Sequence, residues 1–313
     1  RTHKPEVSGS IPLPATKTIK LKDKMSISVV IISYKSNHLL QNIITSIPNH
    51  FEIIIIENSL NTKTKNDLEN KFSNTKVIIP ETNLGYAGGV NLGIKKSKYN
   101  FTLVLVADVD VSLKMLLNME KCVKNFDQFA LVAPVYENPT IHKNFKIFDK
   151  SIINKIQVKN FKLTEVDEID GACFLVNKNE FKDHEILDDN FFLYFESTDL
   201  CHRLKLKKKK MYIVEDLKFT HIGLASSEEK YAFEILVNRN WHYCWSKFYF
   251  FKKNYSYLYA LRKLSPNLLK SLIAYFKSKI TLDSKNARLN KANISGILNA
   301  LLLKKSSYRP NIS

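Results

Sequence analysis

The first 110 residues repeat one pattern four times: a short apolar run, rich in β-branched residues, that closes on a polar cluster. The runs are Ile27 to Ser33, Phe51 to Ile56, Lys76 to Pro80 and Phe101 to Val106. Continuous apolar runs of this length suit strands covered on both faces, as in a parallel sheet. Between them lie segments with helical spacing. Leu39, Leu40, Ile43, Ile44 and Ile47 recur at helical intervals, with Asn37 placed to cap and Pro48 to stop. Thr62 to Phe72 reads as a surface helix, and a third helix is expected from the glycine-rich turn to about Lys96. Strand and helix in alternation predict an α/β fold, Rossmann-like, with a mainly parallel sheet flanked by helices. In such sheets ligands lie beyond the carboxyl ends of the strands. The polar clusters all fall there: Ser33-Tyr34, Glu57-Asn58-Ser59, Asn83 to Gly85, and Asp108 to Asp110.

The glycines sharpen the third of these places. The chain has eight, and four of them lie in Asn83-Leu84-Gly85-Tyr86-Ala87-Gly88-Gly89-Val90-Asn91-Leu92-Gly93. Glycine serves where backbone turns sharply or approaches something closely. A turn that opens a helix offers unpaired N–H groups and a positive dipole end, which suit an anion. The spacing does not match the dinucleotide pattern G-x-G-x-x-G. A tight loop packed beneath a helix reads equally well from these residues alone. At the fourth place, Asp108-Val109-Asp110 sets two carboxylates just past a buried strand, where they repel unless a cation or hydrogen bonds compensate. A hard divalent cation with positions left for phosphate oxygens would do so, and an acidic turn before a helix at Ser112 is the plainer alternative.

Farther along, Phe129 to Tyr136 and Ile169 to Val176 read as further buried strands, and residues 137–168 as polar and poorly periodic. The aromatic run Phe191-Phe192-Leu193-Tyr194-Phe195 leads into Glu196, where a helix is expected to begin. Glu196 and Asp199 share one helix face, with Arg203 a turn beyond Asp199. A carboxyl group at a helix start beside aromatic surface can have a raised pKa and act as a base. An Asp199–Arg203 surface pair with Glu196 as a capping acid is the alternative. Met211 to Val214 is a short strand, and residues beyond 228 turn helical, aromatic and basic.

Composition bounds the class. Apolar residues are 44% and charged residues 25%, which excludes a disordered chain. The net charge of +18 favours an anionic partner, whether nucleic acid, a phosphate-bearing substrate or an acidic membrane surface. No run of about 18 apolar residues is present, so no segment is expected to span a bilayer. Cys122, Cys173, Cys201 and Cys244 have no metal-like spacing and read as reduced thiols in a cytosolic protein. Residues 1–24 hold three prolines and are expected to be a flexible arm or tag remnant, with no signal-peptide pattern. Residues 25–227 then form the α/β domain, and 228–313 a helical region associating with a membrane or a partner.

In this order and spacing the stations resemble the family 2 glycosyltransferases of GT-A fold, in particular a bacterial rhamnosyltransferase-like branch. The resemblance covers about residues 26–250. It rests on Val-Val-Ile-Ile-Ser-Tyr at 29–34, Ile-Ile-Glu-Asn-Ser at 55–59, the glycine-rich stretch at 83–93, and Asp-Val-Asp at 108–110. Asp-Gly-Ala-Cys-Phe-Leu at 170–175, Phe-Phe-Leu-Tyr-Phe-Glu-Ser-Thr-Asp-Leu-Cys at 191–201 and Thr-His-Ile-Gly at 220–223 complete it.

The resemblance implies an inverting transferase that moves a sugar from a UDP-, dTDP- or GDP-sugar to a hydroxyl of a glycan or polyprenyl-diphosphate-linked acceptor in surface polysaccharide synthesis. It implies a donor pocket of Ser33, Tyr34, Glu57, Asn83, Gly85, Tyr86, Gly88, Asn91 and Asp108. Mg²⁺ or Mn²⁺ would be held by Asp110 and Asp108, with His221 completing the site. Glu196 is expected to be the base, with Asp199 as second choice. The family's motif carries two adjacent acids there, where this chain has Glu196-Ser197. The expected location is cytoplasmic, peripheral on the inner face of an anionic membrane, with no specific nucleic acid. The rivals are a nucleotidyltransferase of similar fold and a non-catalytic nucleic-acid- or membrane-binding protein. The former should carry a basic glycine-rich loop after the first strand, and Ser33-Tyr34-Lys35-Ser36 contains no glycine.

Overall fold

A computed structural model describes residues 26–137, 143–151, 153–182, 186–221 and 228–309. The arm expected at 1–24 and the Ile222-Gly223 end of one motif lie outside the described residues. The first half alternates as the apolar runs require. β1 (Ile27–Ser33), α1 (Asn37–Thr45), β2 (Glu52–Glu57), α2 (Thr62–Lys71), β3 (Thr75–Ile78), α3 (Gly85–Lys96) and β4 (Phe101–Val106) follow in turn. Next come β5 (Val109–Asp110), α4 (Leu113–Asn125) and β6 (Leu131–Tyr136). Then follow β7 (Phe145–Lys146), β8 (Lys155–Val158), β9 (Phe161–Glu165), β10 (Glu168–Ile169) and β11 (Cys173–Asn177). The chain continues through α5 (Glu196–Leu206), β12 (Met211–His221), α6 (Ala232–Asn254), α7 (Tyr257–Ile280) and α8 (Ser284–Leu301).

The central sheet runs β3-β2-β1-β4-β11-β6-β12-β9-β8, and β5 pairs with β12 at its side. β3, β2, β1 and β4 are parallel, and β12 is parallel to β6. β11 runs antiparallel between β4 and β6. Alternate residues of β1 serve opposite faces, as the pleat demands. Val29 and Ile31 join Leu40, Ile43, Leu68, Met115 and Leu116 beneath α1, α2 and α4. Val30 and Ile32 join Ala87, Val90, Leu200 and Leu204 beneath α3 and α5. The helix after Asp108-Val109-Asp110 is capped by Ser112 itself rather than by an aspartate, its hydroxyl accepting from the Met115 N–H. At α1 the cap position belongs to Ser36, not Asn37, and no side chain bonds there.

Two expectations are corrected. The stretch 137–168 is not featureless: β8 and β9 form an antiparallel hairpin on the sheet edge, and β7 pairs with β10. Their apolar residues are too few and too briefly alternating to stand out from sequence. The strand expected at Ile169 to Val176 is divided, Ile169 belonging to β10 and Cys173 onward to β11.

The aromatic residues of α6 mainly face inward. Trp241, Trp245 and Phe248 form a third core with Ala260, Leu264 and Ile297 of α7 and α8. Asp199, second choice as base with a surface pair to Arg203 as the alternative reading, is fully buried and clasps α6 to α5. Its carboxylate accepts from Arg203 Nε at 2.8 Å, Lys253 Nζ at 2.8 Å and Asn254 Nδ2 at 3.0 Å. Lys253 also reaches Asp188 at 2.8 Å, so one ammonium ties both acids to the helix. All four cysteines are free thiols.

The glycines of α3 let it lie close on the sheet. A Cβ on Gly93 would stand 2.3 Å from Cγ1 of Val30, a buried β-branched side chain with little room to turn. Gly93→Ala should therefore cost about 2 kcal/mol by overpacking. Urea unfolding that leaves the midpoint unchanged would refute this packing account.

Candidate active site

The carboxyl ends of β1, β2, β4 and β6 open on a cleft of about 550 Å³, closed on its far side by the loop before α5 and by α6. Seven of the residues picked from sequence line it: Tyr34, Asn83, Gly85, Tyr86, Asp108, Glu196 and His221. Ser33, Glu57, Gly88, Asn91, Asp110 and Asp199 stand outside its lining.

The displaced residues have visible work. Glu57, buried at the end of β2, accepts from Ser33 Oγ at 2.7 Å and from the Ser59 N–H at 2.7 Å. It ties the ends of two neighbouring strands and shapes the turn beneath the cleft. The next residue, Asn58, does line the cleft. Its Nδ2 donates to the Gly85 carbonyl at 3.0 Å, and its Oδ1 accepts from the Leu84 N–H at 3.2 Å. Asn91 accepts from the N–H groups of Ile186 and Leu187 and donates to the Leu187 carbonyl, holding the chain below the aromatic run. Gly88 faces Leu84 of its own helix.

The anion-cradle reading of the glycine turn is corrected by its hydrogen bonds. The Gly85 N–H is taken by Asn83 Oδ1 at 2.9 Å, and the Tyr86 N–H by the Phe192 carbonyl at 2.8 Å. Gly85 has φ +71, and a Cβ there would lie 2.3 Å from that same carbonyl oxygen. The close approach is to Phe192, so the turn is a joint between α3 and the aromatic loop. Its first N–H groups are spent inside the protein.

That loop carries Glu196. Tyr194 (φ 68) and Phe195 (φ 66) both lie in the left-handed region, which costs a non-glycine residue roughly 1 kcal/mol each. Surrounding contacts hold them: Ser246 Oγ donates to the Leu193 carbonyl at 2.8 Å, and Phe192 stacks on His242 with centroids 4.6 Å apart. The double left-handed step starts α5 at Glu196 and turns that carboxyl group into the cleft. Glu196 is buried, and its Oε2 has no hydrogen-bond partner. Burial pushes its pKa up to about 7.

Across the lining, Asp108, His221, Tyr136 and Asp170 form a polar row. β5 and β12 pair through Val109–His221 and Asp110–Thr220, and this short ladder brings His221 beside Asp108. His221 Nε2 is 3.4 Å from Asp108 Oδ1, and His221 Nδ1 is 3.2 Å from Tyr136 Oη. Tyr136 donates its one proton to Asp170 Oδ2 at 2.6 Å. Its oxygen can then only accept from His221, so both ring nitrogens carry protons when both contacts are made. The pKa of His221 is accordingly raised, chiefly by its hydrogen bond to Asp108. Burial, with Asp170 alongside, holds the Tyr136 phenol well above its usual range.

Asp110 is exposed in β5, two residues beyond Asp108, which lies in the turn before that strand. Among the described residues no three His, Cys, Asp or Glu side chains converge as a cation site. Asp108, with Asp110 two residues on and the His221 imidazole beside it, still offers the kind of donors a hard cation takes when other oxygens complete its shell.

Asn58, Tyr136, Asp170, Asn238, Arg239 and Tyr243 line the cleft without having been chosen from sequence. Asp170-Gly171 was visible as a polar break before an apolar run. Nothing local marked Asn238, Arg239 and Tyr243, because they enter through the docking of α6. Asn238 is buried, and its Oδ1, like Glu196 Oε2, has no partner. Two unsatisfied acceptors in one cleft wall suit a ligand that presents hydroxyl protons.

Comparison with known proteins bears on the fold and the family. A curated relative, the low-salt glycan biosynthesis hexosyltransferase Agl10 of Haloferax volcanii, is 24% identical over 202 residues, or 60% of this chain. The chain spans 65% of that relative's length. Among solved structures, the mannosyltransferase PcManGT of Pyrobaculum calidifontis, in complex with GDP-Man and Mn²⁺, superposes with a TM-score of 0.54 at 10% identity. That match covers 89% of this chain and 88% of the other. S. aureus TarS 1-349 gives 0.51 at 15% identity, covering 91% and 93%. These likenesses show a shared fold, the GT-A type expected from sequence, with a mainly parallel sheet and C-terminal helices. The model of the family described as "Glycosyl transferase family 2" matches residues 28–185, which takes in the glycine turn, Asp108 and Asp170, and the chain belongs to that family.

Proposed function

We propose that this chain is an inverting glycosyltransferase that moves a hexosyl or 6-deoxyhexosyl group from a nucleotide-sugar to a hydroxyl of a glycan or lipid-linked acceptor. The observation that carries the proposal is Glu196, a buried carboxyl group with a pKa near 7 and one oxygen left unpartnered in a cleft whose opposite wall is acidic. A base poised near neutrality is what removal of an acceptor hydroxyl's proton requires. Family membership supports the transferase class. The hexosyltransferase relative supports the kind of sugar, and its glycan-biosynthetic role supports a glycan acceptor.

In this reading the donor lies along Tyr34, Asn58, Asn83 and Tyr86, with its diphosphate toward Asp108 and His221. Glu196 in its ionised form takes the acceptor's proton. The freed oxygen attacks the anomeric carbon from the face opposite the nucleotide, the bond to the diphosphate oxygen breaks, and the configuration inverts. Asn238, its carbonyl oxygen unpaired, accepts from a hydroxyl of the incoming sugar and orients it. The His221 imidazolium offers a positive charge beside the departing diphosphate.

A divalent cation, Mg²⁺ or Mn²⁺, fits the edge formed by Asp108 and Asp110, provided phosphate oxygens supply its remaining positions. When bound, it would neutralise charge on the leaving diphosphate. His221 joins that edge as a ligand only after Nε2 loses its proton.

Three outcomes test this. Glu196→Gln should lower transfer by about 10²- to 10⁴-fold while the donor still binds. Wild-type kcat should rise with pH through about 7, because the base works when ionised and burial places its titration there. A flat profile, or full activity in Glu196→Gln, removes Glu196 from the role. Thermal-shift titration with UDP-, dTDP- and GDP-sugars should give a stabilisation that Mn²⁺ enhances and that Asp108→Asn diminishes. No shift with any nucleotide would remove the transferase reading.

A further inference from the structure

The outer face of α7 carries apolar residues that no other described residue covers. Ala260, Leu264, Ser271 and Ser278 form the face buried against the neighbouring helices. On the other side Leu258, Leu261, Leu269, Ile273, Phe276 and Ile280 are exposed at helical spacing, Leu258 by 75% and Ile280 by 83%. A helix on the surface of a soluble bundle should turn polar residues outward. This one presents leucine, isoleucine and phenylalanine to solvent at Leu258 and Leu261 and again from Leu269 to Ile280, with Arg262, Ser265 and Pro266 exposed between.

The charges beside the stripe say what covers it. Lys263, Lys270 and Lys277 recur every seven residues and so form a line along one edge, with Arg262 and Lys279 nearby. The 24-residue helix contains no aspartate or glutamate. None of these five cations makes a salt bridge among the described residues. Elsewhere some lysines, Lys205, Lys209 and Lys210 among them, do pair with acids. An apolar stripe edged by unpaired cations is complementary to a surface that is apolar inside and anionic at its boundary. A second copy of this helix would instead bring two cationic edges together. No helix among the described residues is long and apolar enough to cross a membrane, so the geometry is that of a helix lying on the surface.

We propose that α7 docks this protein onto an anionic lipid bilayer, the stripe entering the headgroup layer and the lysine line lying over acidic headgroups. This surface is separate from the cleft and does not depend on the reaction assigned to it. The two are linked mechanically, because α7 packs against α6, which supplies Asn238, Arg239 and Tyr243 to the cleft wall. Docking would therefore hold the acceptor side of the cleft at a set position relative to the lipid surface.

Sedimentation of the full chain with vesicles tests the proposal. Partitioning should be at least about tenfold stronger onto equimolar phosphatidylcholine and phosphatidylglycerol than onto phosphatidylcholine alone, and should weaken as salt is raised. Leu269→Asp combined with Phe276→Asp should cut it about tenfold. Lys263→Glu, Lys270→Glu and Lys277→Glu together should abolish the preference for the anionic vesicle. Both sets lie on an exposed face, so their melting temperatures should match the parent. Absence of binding to either vesicle, or binding unchanged in both variants, overturns the proposal. A dimer in sedimentation velocity that Leu269→Asp and Phe276→Asp dissolve would overturn it in favour of a second copy.

Discussion

The hydrogen bond from the Tyr86 N–H to the Phe192 carbonyl holds the site together. It can form only because Gly85 has no Cβ, and it ties the start of α3 to the loop that presents Glu196. The Phe192 ring meanwhile stacks on His242 of α6 and lies 3.5 Å beneath the Arg309 guanidinium. His242 is itself held by Ser306 and the Tyr308 carbonyl, so the C-terminal chain returns to the same point. One residue thus joins the start of α3, the loop that carries Glu196 and the C-terminal helices. The left-handed backbone at Tyr194 and Phe195 is tolerable because both its ends are anchored in this way.

Opposed electrostatic environments follow from this arrangement. On one wall Asp108, His221, Tyr136 and Asp170 are linked in a row, each acid facing a donor. On the other, Glu196 is buried against aromatic surface, and that burial raises its pKa. Asp199 lies three residues away with the opposite fate. It too is buried, but Arg203, Lys253 and Asn254 satisfy it and make it a fastener. Acids this close in sequence differ in role because one faces a cleft and the other faces a helix carrying cations.

Much of the sheet was legible in the sequence. A run such as Ile53 to Ile56 can only be buried on both faces, so strand, parallel pairing and the carboxyl-end location of the cleft followed together. Asp108 was legible because it follows such a run, and Glu196 because it opens a helix after an aromatic run, while His221 came only from the family resemblance. The glycine turn was placed correctly, and from sequence an anion cradle and a packed loop read equally well there. Its spacing showed that something approaches closely, but only the fold shows that Phe192, not an anion, does so. The strands at 145–165 were missed, because short edge strands carry too few buried residues to impose a pattern.

Local residue pattern determined the elements, their alternation and the edge of the sheet at which function gathers. Hydrophobic periodicity and turn chemistry act over a few residues, and a sequence displays them directly. Tertiary structure decided which acids are free. It paired Asp199 with Lys253 across 54 residues, brought His221 to Asp108 through two rungs of β5 and β12, and placed Asn238 in the cleft by docking α6. It also decided that the aromatics of α6 turn inward while the apolar stripe of α7 stays outside. Burial and charge pairing belong to surfaces brought together from distant parts of the chain, and neither exists until those surfaces meet.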